Sequence, residues 1–502
     1  MMRGFGRQDD GGATLSPLLS AAFSAVSTTA YVDIQPSALI YNDETFTADT
    51  GQFTLLSEAT PGTFTVSGGV ATVSHGSGAK NNIIVTGADI GQPQFCAAID
   101  VVTRGGSVTG YDNIGVGVCK DANNFIFASF DRYNVTARIQ VKIGGVNNFY
   151  ANRTIGFNVP YKIALSIVGN TAVMWADTGT GWAYITSYNF QSNINFKTAS
   201  LAGWRPAFTV ASPGGATWVF DNFKAGRFGA VGMRDHMIVT SEDGTPYIDS
   251  GKVYFTATAA YPVGGVETSY LGVFTANLSS YEIQQTGLIQ VNRGSTIHND
   301  HAAHIVRNSD TDMRLLVSTW GNGFGGSLQI LHKQFSSNLL SGASVVSGMT
   351  QLSLTGTGCY DPMLVKIGST WNLAYTITDN TSFAGNPFYA ALATSSDLAS
   401  WGLVASDSAN KGYEGTKIIK DGASYKIAVG GPAGSGNSSR VYDMGLSYLG
   451  PLSAVFSGGS DTQPHPMAFS YGSDWYLLTF NSNRYTPTNA VFSWGNTVIH
   501  KG

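Results

Sequence analysis

From Tyr41 to about Gly226 the chain alternates apolar and polar residues in short runs, such as GTFTVSGGVATVSH, QFCAAIDVV, NFIFASFD, ARIQVKI and YKIALSIVG. That period of two marks strands of a sheet with one buried face. Gly-Gly, Asn-Asn and Gly-Asn-Thr sequences separate the runs as turns. No helical period longer than about ten residues occurs; the one helix the pattern predicts is short, in TLSPLLSAAFSA, with Ser16 as cap and Pro17 at its first position. From about Val231 the chain repeats itself. Five units align: TPYIDSGKVYFTATA, AAHIVRNSDTDMRLLVSTW, DPMLVKIGSTWNLAYT, EGTKIIKDGASYKIAVGG and HPMAFSYGSDWYLLTF. They start near residues 245, 303, 361, 414 and 465, so each repeat spans 50 to 60 residues. Each has a short apolar strand, a polar turn and a second strand. A unit of that length holds the four strands of a propeller blade, and five fill the remaining chain. The expected fold is all-β: a β-sandwich of jelly-roll type over 41–228 and a five-bladed β-propeller over 229–502, preceded by a segment, 1–40, that needs a partner to be ordered.

Composition narrows the function classes. A length of 502 residues calls for two or three domains. Only 12% of residues are charged against a usual share of about 25%, while 61 glycines and an aromatic share of 12% suit many short strands with rings free for packing or sugar stacking. The net charge is −4 and no Lys/Arg run exists, which argues against nucleic acid. No stretch of 18 apolar residues occurs, so no membrane span is expected. Cys96, Cys119 and Cys359 include no CxxC pair and read best as three buried thiols, with a Cys96–Cys119 bridge as the alternative. Near the N-terminus, Arg3 and Arg7 are followed by Asp9, Asp10 and a broken apolar stretch, a poor signal peptide.

Asp361, Glu414 and His465 each open the first strand of a unit, and an aromatic follows each at a nearly constant interval, as Trp371, Tyr425 and Trp475. Ionisable groups at one register have no packing purpose at a blade edge, so a site at the mouth of the central channel is expected. His298-Asn299-Asp300-His301-Ala302-Ala303-His304 places three of the eight histidines in one short string. On a strand, offsets of three and six cannot bring all three to one side, so a metal centre is not expected there. Trp175, Trp182 and Trp218 are more at home in a core than as sugar platforms.

Three resemblances add to this reading. Thr217-Trp218-Val219-Phe220-Asp221-Asn222-Phe223-Lys224 and Asn42-Asp43-Glu44-Thr45-Phe46 resemble the last and first strands of concanavalin-like jelly rolls, a likeness that takes in Tyr41 to Gly226 and implies a glycan-binding module. Asp361-Pro362, Glu414-Gly415-Thr416, His465-Pro466 and Ser395-Ser396-Asp397-Leu398 with Trp401 resemble, in order and spacing, the five-bladed propellers of glycoside hydrolase family 43, the arabinanases and β-xylosidases. That resemblance implies Glu414 as general acid, Asp361 raising its pKa, and His465 positioning substrate, water or a channel ion. It further implies sugar contacts at Trp371 and Trp475, and no cofactor beyond a structural calcium ion in the channel. The base, expected in blade one, is where the pattern departs: Thr245 matches Asp361, which leaves Asp235 and Asp243 as candidates and, if neither points inward, a propeller that only binds. The His298–His304 string is similar to sialidase-like propellers, which implies His301 facing the sugar. The short segment around Leu18 resembles the opening of phage tail proteins. The expected partner is accordingly a polysaccharide or host-surface glycan, bound and, if the base is present, hydrolysed by a tail-associated virion protein docked through 1–40, in a homo-oligomer; the alternative is a secreted glycosidase acting on plant or algal polysaccharide.

Overall fold

The computed structural model describes residues 16–29, 33–57, 62–75, 80–106, 110–212, 215–259, 268–320, 328–380, 387–431, 439–456, 465–481 and 495–502. Nearly all of the elements are strands.

Residues 40–226 form two facing antiparallel sheets of seven and eight strands, with the opening strand Ile40–Glu44 beside the closing strand Thr217–Gly226. Ile99, Val116, Ile126, Leu165, Phe208 and Phe220 fill the space between the sheets. The pattern predicted one buried face per sheet, but Tyr161–Val168 and Thr171–Asp177 are buried on both. The propeller covers the second face: Cys96, Ala98, Ala164 and Trp175 share one apolar cluster with Phe228, Met233 and Phe255. Trp175 stacks on Phe228 with ring centroids 6.0 Å apart and donates its indole N–H to Ser166 Oγ at 2.8 Å. Trp218 is fully buried in the core of the sandwich, and Trp182 is half-buried against the interface with the propeller. All three cysteines are buried free thiols.

The second half forms five sheets, whose innermost strands are Met233–Ile238, His301–Ser309, Gly358–Ile367, Glu414–Asp421 and Met467–Tyr471. Each of these strands neighbours the next, and the last neighbours the first, so the ring closes around a channel. Sheets three and four are plain four-stranded units from contiguous chain; between the last two strands of sheet two the chain crosses to sheet one, where Gly342–Ser347 pairs in parallel with Ile283–Arg293, and sheet one carries further short strands.

Two boundaries differ from the sequence reading. In blade one the innermost strand is Met233–Ile238, not the stretch beginning at Thr245. Blades two to five join their first two strands by two-residue turns, whereas blade one spends residues 239–251 on this connection, which displaced the alignment. Of the segment 1–40 read as a docking arm, residues 1–15 and 30–32 lie outside the described residues, and Pro17–Thr29 is built into the propeller. Its helix is one turn, Pro17–Ser20, and Ala22–Thr29 then runs as a strand antiparallel to Thr497–Lys501, completing the fifth sheet. Leu18 and Phe23 are buried among Ile419, Val441, Trp475 and Leu477.

Candidate functional site

The same irregularity interrupts the innermost strand in four of the five blades. Arg234 pairs with Thr258 and Met237 with Thr256; His301 with Ser318 and His304 with Leu316; Tyr360 with Thr376 and Met363 with Ala374; Glu414 with Gly430 and Lys417 with Ala428. Three steps on one strand thus meet two on its partner, a β-bulge. The extra residue has positive φ each time: Asp235 at 57°, Ala302 at 52°, Asp361 at 54° and Gly415 at 68°. Asp tolerates this left-handed conformation better than most residues. A bulge re-aims side chains at the rim of a channel, and here it gathers the site.

Two layers result. In the bulge layer lie Asp235 and Asp361, with His465, just before the strand Met467–Tyr471, between them. Its Nδ1 is 3.3 Å from Asp235 Oδ1 and 3.8 Å from Asp361 Oδ2. The layer nearer the mouth holds Arg234, His301, Tyr360 and Glu414. The Tyr360 hydroxyl donates to Glu414 Oε2 at 3.1 Å, and His465 Nε2 lies 3.3 Å from Glu414 Oε1. Arg234 ties the layers together: Nε donates to Asp235 Oδ1 at 2.8 Å and Nη2 is 3.8 Å from Glu414 Oε1. Glu414 is therefore one register step above Asp361 and His465, not in their slot, which is why Tyr425 follows it one position later than Trp371 and Trp475 follow theirs. Gly415 is required beneath it, because a Cβ there would lie 2.6 Å from the ring of His465.

The two carboxylates considered in blade one lie apart. Asp235 occupies the slot of Asp361 and also accepts the Thr258 hydroxyl at 2.7 Å. Asp243 is elsewhere: its carboxylate is bonded to Ser241, the Thr245 N–H and Lys420, and to no member of the cluster. His301 reaches the channel layer, with Nδ1 3.3 Å from the Thr258 hydroxyl and its ring stacked on Trp320. His298 closes a different strand, Thr296–His298, and His304 sits one layer deeper, bonded to Thr240 and the Leu364 N–H. Trp371 and Trp475 do not face the channel. They pack in inter-blade cores, with Trp371 between Arg314 and Lys366 and Trp475 against Leu18 and Phe23. Across a two-residue turn the chain has returned only to Lys366 or Ser470 by then, so Trp371 lies about five strand residues, roughly 16 Å, from Asp361. The sequence singled out neither Tyr360 nor Lys417; the three-step interval from Arg234 to Met237, repeated in each bulged blade, is the signal that finds them.

The three carboxylates differ in environment. Burial alone would push the Asp235 carboxyl up, but Arg234, His465 and the Thr258 hydroxyl outweigh it and hold the group well below the usual carboxylate range. Asp361 is 3% exposed and has an Oδ2 without a hydrogen-bond partner. Burial, aided by Asp235 and Glu414 and opposed by His465 and Lys417, pushes it up to about 7. Glu414, at 13%, is the most exposed of the three. One oxygen each from Asp361 and Glu414 and a nitrogen of His465 fall within 4.8 Å of one another. That set does not suit calcium, which takes six to eight oxygens, and Arg234 and Lys417 already act on the same carboxylates.

The ends of the second strands face the starts of the first, on the site's side of the ring; residues 260–267, 321–327, 381–386, 432–438 and 482–494 lie outside the described residues.

No family model matches the chain, and no curated protein matches it. Solved structures do. A levansucrase mutant from B. megaterium is 11% identical with a TM-score of 0.40, covering 53% of this chain and 81% of its own. An inulosucrase from Halalkalicoccus jeotgali bound to kestose is 12% identical with a TM-score of 0.37, covering 50% and 75%. The carbohydrate-binding module CBM66 from Bacillus subtilis is 16% identical with a TM-score of 0.27, covering 36% of this chain and 99% of its own. At these values the likenesses carry nothing about activity; the fold stands on its own sheet topology.

Proposed function

We propose that the chain is a glycan-recognising protein whose propeller is a glycoside hydrolase, with Asp235 and Glu414 as its two working carboxylates. One observation carries this: the two sit on opposite nitrogens of a single imidazole, each 3.3 Å from His465. Arg234 also reaches both, with Nε 2.8 Å from Asp235 Oδ1 and Nη2 3.8 Å from Glu414 Oε1, so the two carboxylates flank one imidazole and one guanidinium, and a glycosidase needs two such carboxyl groups flanking the scissile bond. Asp235, held ionised, suits the base. Glu414, the most exposed, reaches the leaving oxygen as acid, with Tyr360 and His465 fixing its two oxygens. Asp361 is the buried neighbour whose charge keeps a proton in the cluster. The base that the alignment with Thr245 lacked is supplied by Asp235.

The described part of the segment that suggested a virion dock is used inside the propeller, so the proposal rests on the site and takes in both a tail-associated protein and a secreted enzyme. The test is release of reducing sugar from a panel of plant, algal and bacterial-surface polysaccharides. Release by the wild type and loss in Glu414→Gln and Asp235→Asn support the reading. Binding without release by the wild type leaves a glycan-binding propeller.

A further inference from the structure

One layer below the bulge, the equivalent residues are Met237, His304, Met363, Lys417 and Met467, all buried. Burial pushes the His304 imidazole down to about 3, so it is neutral. A lysine at 1% exposure among three thioethers and a neutral ring is costly unless anions answer it. The titratable groups in the two layers above it are Arg234 and Asp235 from blade one, His301 from blade two, Tyr360 and Asp361 from blade three, Glu414 on its own strand and His465 from blade five, while His304 shares its layer and His236 of blade one is near enough to feel its charge. Burial also makes His236 neutral, so the anions are Asp235, Asp361 and Glu414.

We propose that Lys417 is a positioning residue, a fixed counter-charge that limits the carboxylate cluster to one mobile proton. Asp235, Asp361 and Glu414 can carry three negative charges, against which Arg234 and Lys417 set two fixed positive ones. A single proton then brings the buried cluster to neutrality. Without Lys417, neutrality takes two. The distinction matters on the acid–base reading of this site, on which the inference rests: a glycosidase needs one protonated carboxyl and one ionised one, and a second proton silences the base. Burial lowers the pKa of the Lys417 ammonium while Asp361, Asp235 and Glu414 pull it back up, consistent with a cation retained for their sake.

The test replaces Lys417 by the residue the other blades use. Full-length protein carrying ¹³C-labelled Asp and Glu carboxyls is titrated by NMR from pH 4 to 9, as wild type, Lys417→Met and Lys417→Gln, with Asp361→Asn and Glu414→Gln to assign the signals. Removing the cation should move the highest carboxyl midpoint of the cluster upward by about one unit or more and leave the variant binding one proton more than the wild type near neutral pH. Lys417→Arg should keep the wild-type curve. An unshifted midpoint in either neutral variant, with its circular dichroism unchanged, overturns the proposal. The titration needs no glycan. A shift without sugar release therefore sinks only the hydrolase reading, and sugar release without a shift sinks only the role of Lys417.

Discussion

Asp361→Asn should stabilise the protein, and only above mildly acidic pH. The native carboxyl is buried with one oxygen unpartnered and its pKa raised to about 7 from an unfolded value of 3.8. A raised carboxyl binds its proton more tightly in the folded state, so stability is greatest below the unfolded pKa and declines as pH climbs from about 4 towards 7. That rise corresponds to roughly 4 kcal/mol once both states are ionised, an upper figure given the coupling to His465 and Asp235. Asparagine has the same shape, carries no charge and tolerates the left-handed backbone at φ 54°. Urea unfolding monitored at the propeller transition should therefore show the variant ahead by about 2–4 kcal/mol at pH 8 and level with the wild type near pH 4. A variant equally or less stable at both pH values would refute the assignment of Asp361 as a charge held in an unfavourable place.

Two further outcomes follow from the backbone. Gly415→Ala meets both a positive φ and the His465 ring, so it should lower propeller stability by about 1–3 kcal/mol, read as a drop in the urea midpoint; an unchanged midpoint would mean His465 is not packed there. Removing residues 1–29 takes away the strand between Thr497–Lys501 and Ser453–Ala454 and leaves Thr497–Lys501 as an unpaired edge, so the truncated chain should aggregate or melt lower by light scattering during a thermal ramp, whereas an arm merely awaiting a partner would leave the melt unchanged.

Much of the architecture was written in local pattern. Period-two alternation located the sandwich, and the recurring hairpin located the blades, because both are set by residues close in sequence. Asp361, Glu414 and His465 were found the same way. What escaped depends on contacts distant in sequence or on one-residue offsets. The strand Ala22–Thr29 finds its partner at the opposite end of the chain, and nothing within it names Thr497–Lys501. The bulge that lifts Glu414 above Asp361 shows only as one extra position before Tyr425. Asp235 hid behind the long connection 239–251, which made Thr245 look like the start of a blade. Trp371 and Trp475 kept the register of a hairpin, and in a hairpin a residue across the turn is at the far end of the strand from the site. Lys417 gave no signal by itself; it becomes conspicuous only when Met237, Met363 and Met467 are placed beside it.

The central claim is that Asp235 and Glu414 are an acid–base pair. It is tested most directly by measuring reducing-sugar release across the polysaccharide panel for the wild type, Glu414→Gln, Asp235→Asn and Asp243→Asn side by side. The account predicts release by the wild type, loss of at least about a hundredfold for Glu414→Gln and Asp235→Asn, and full release by Asp243→Asn, whose carboxylate serves only the turn beside Lys420. Release that survives in Asp235→Asn, or that is lost in Asp243→Asn alone, would contradict it.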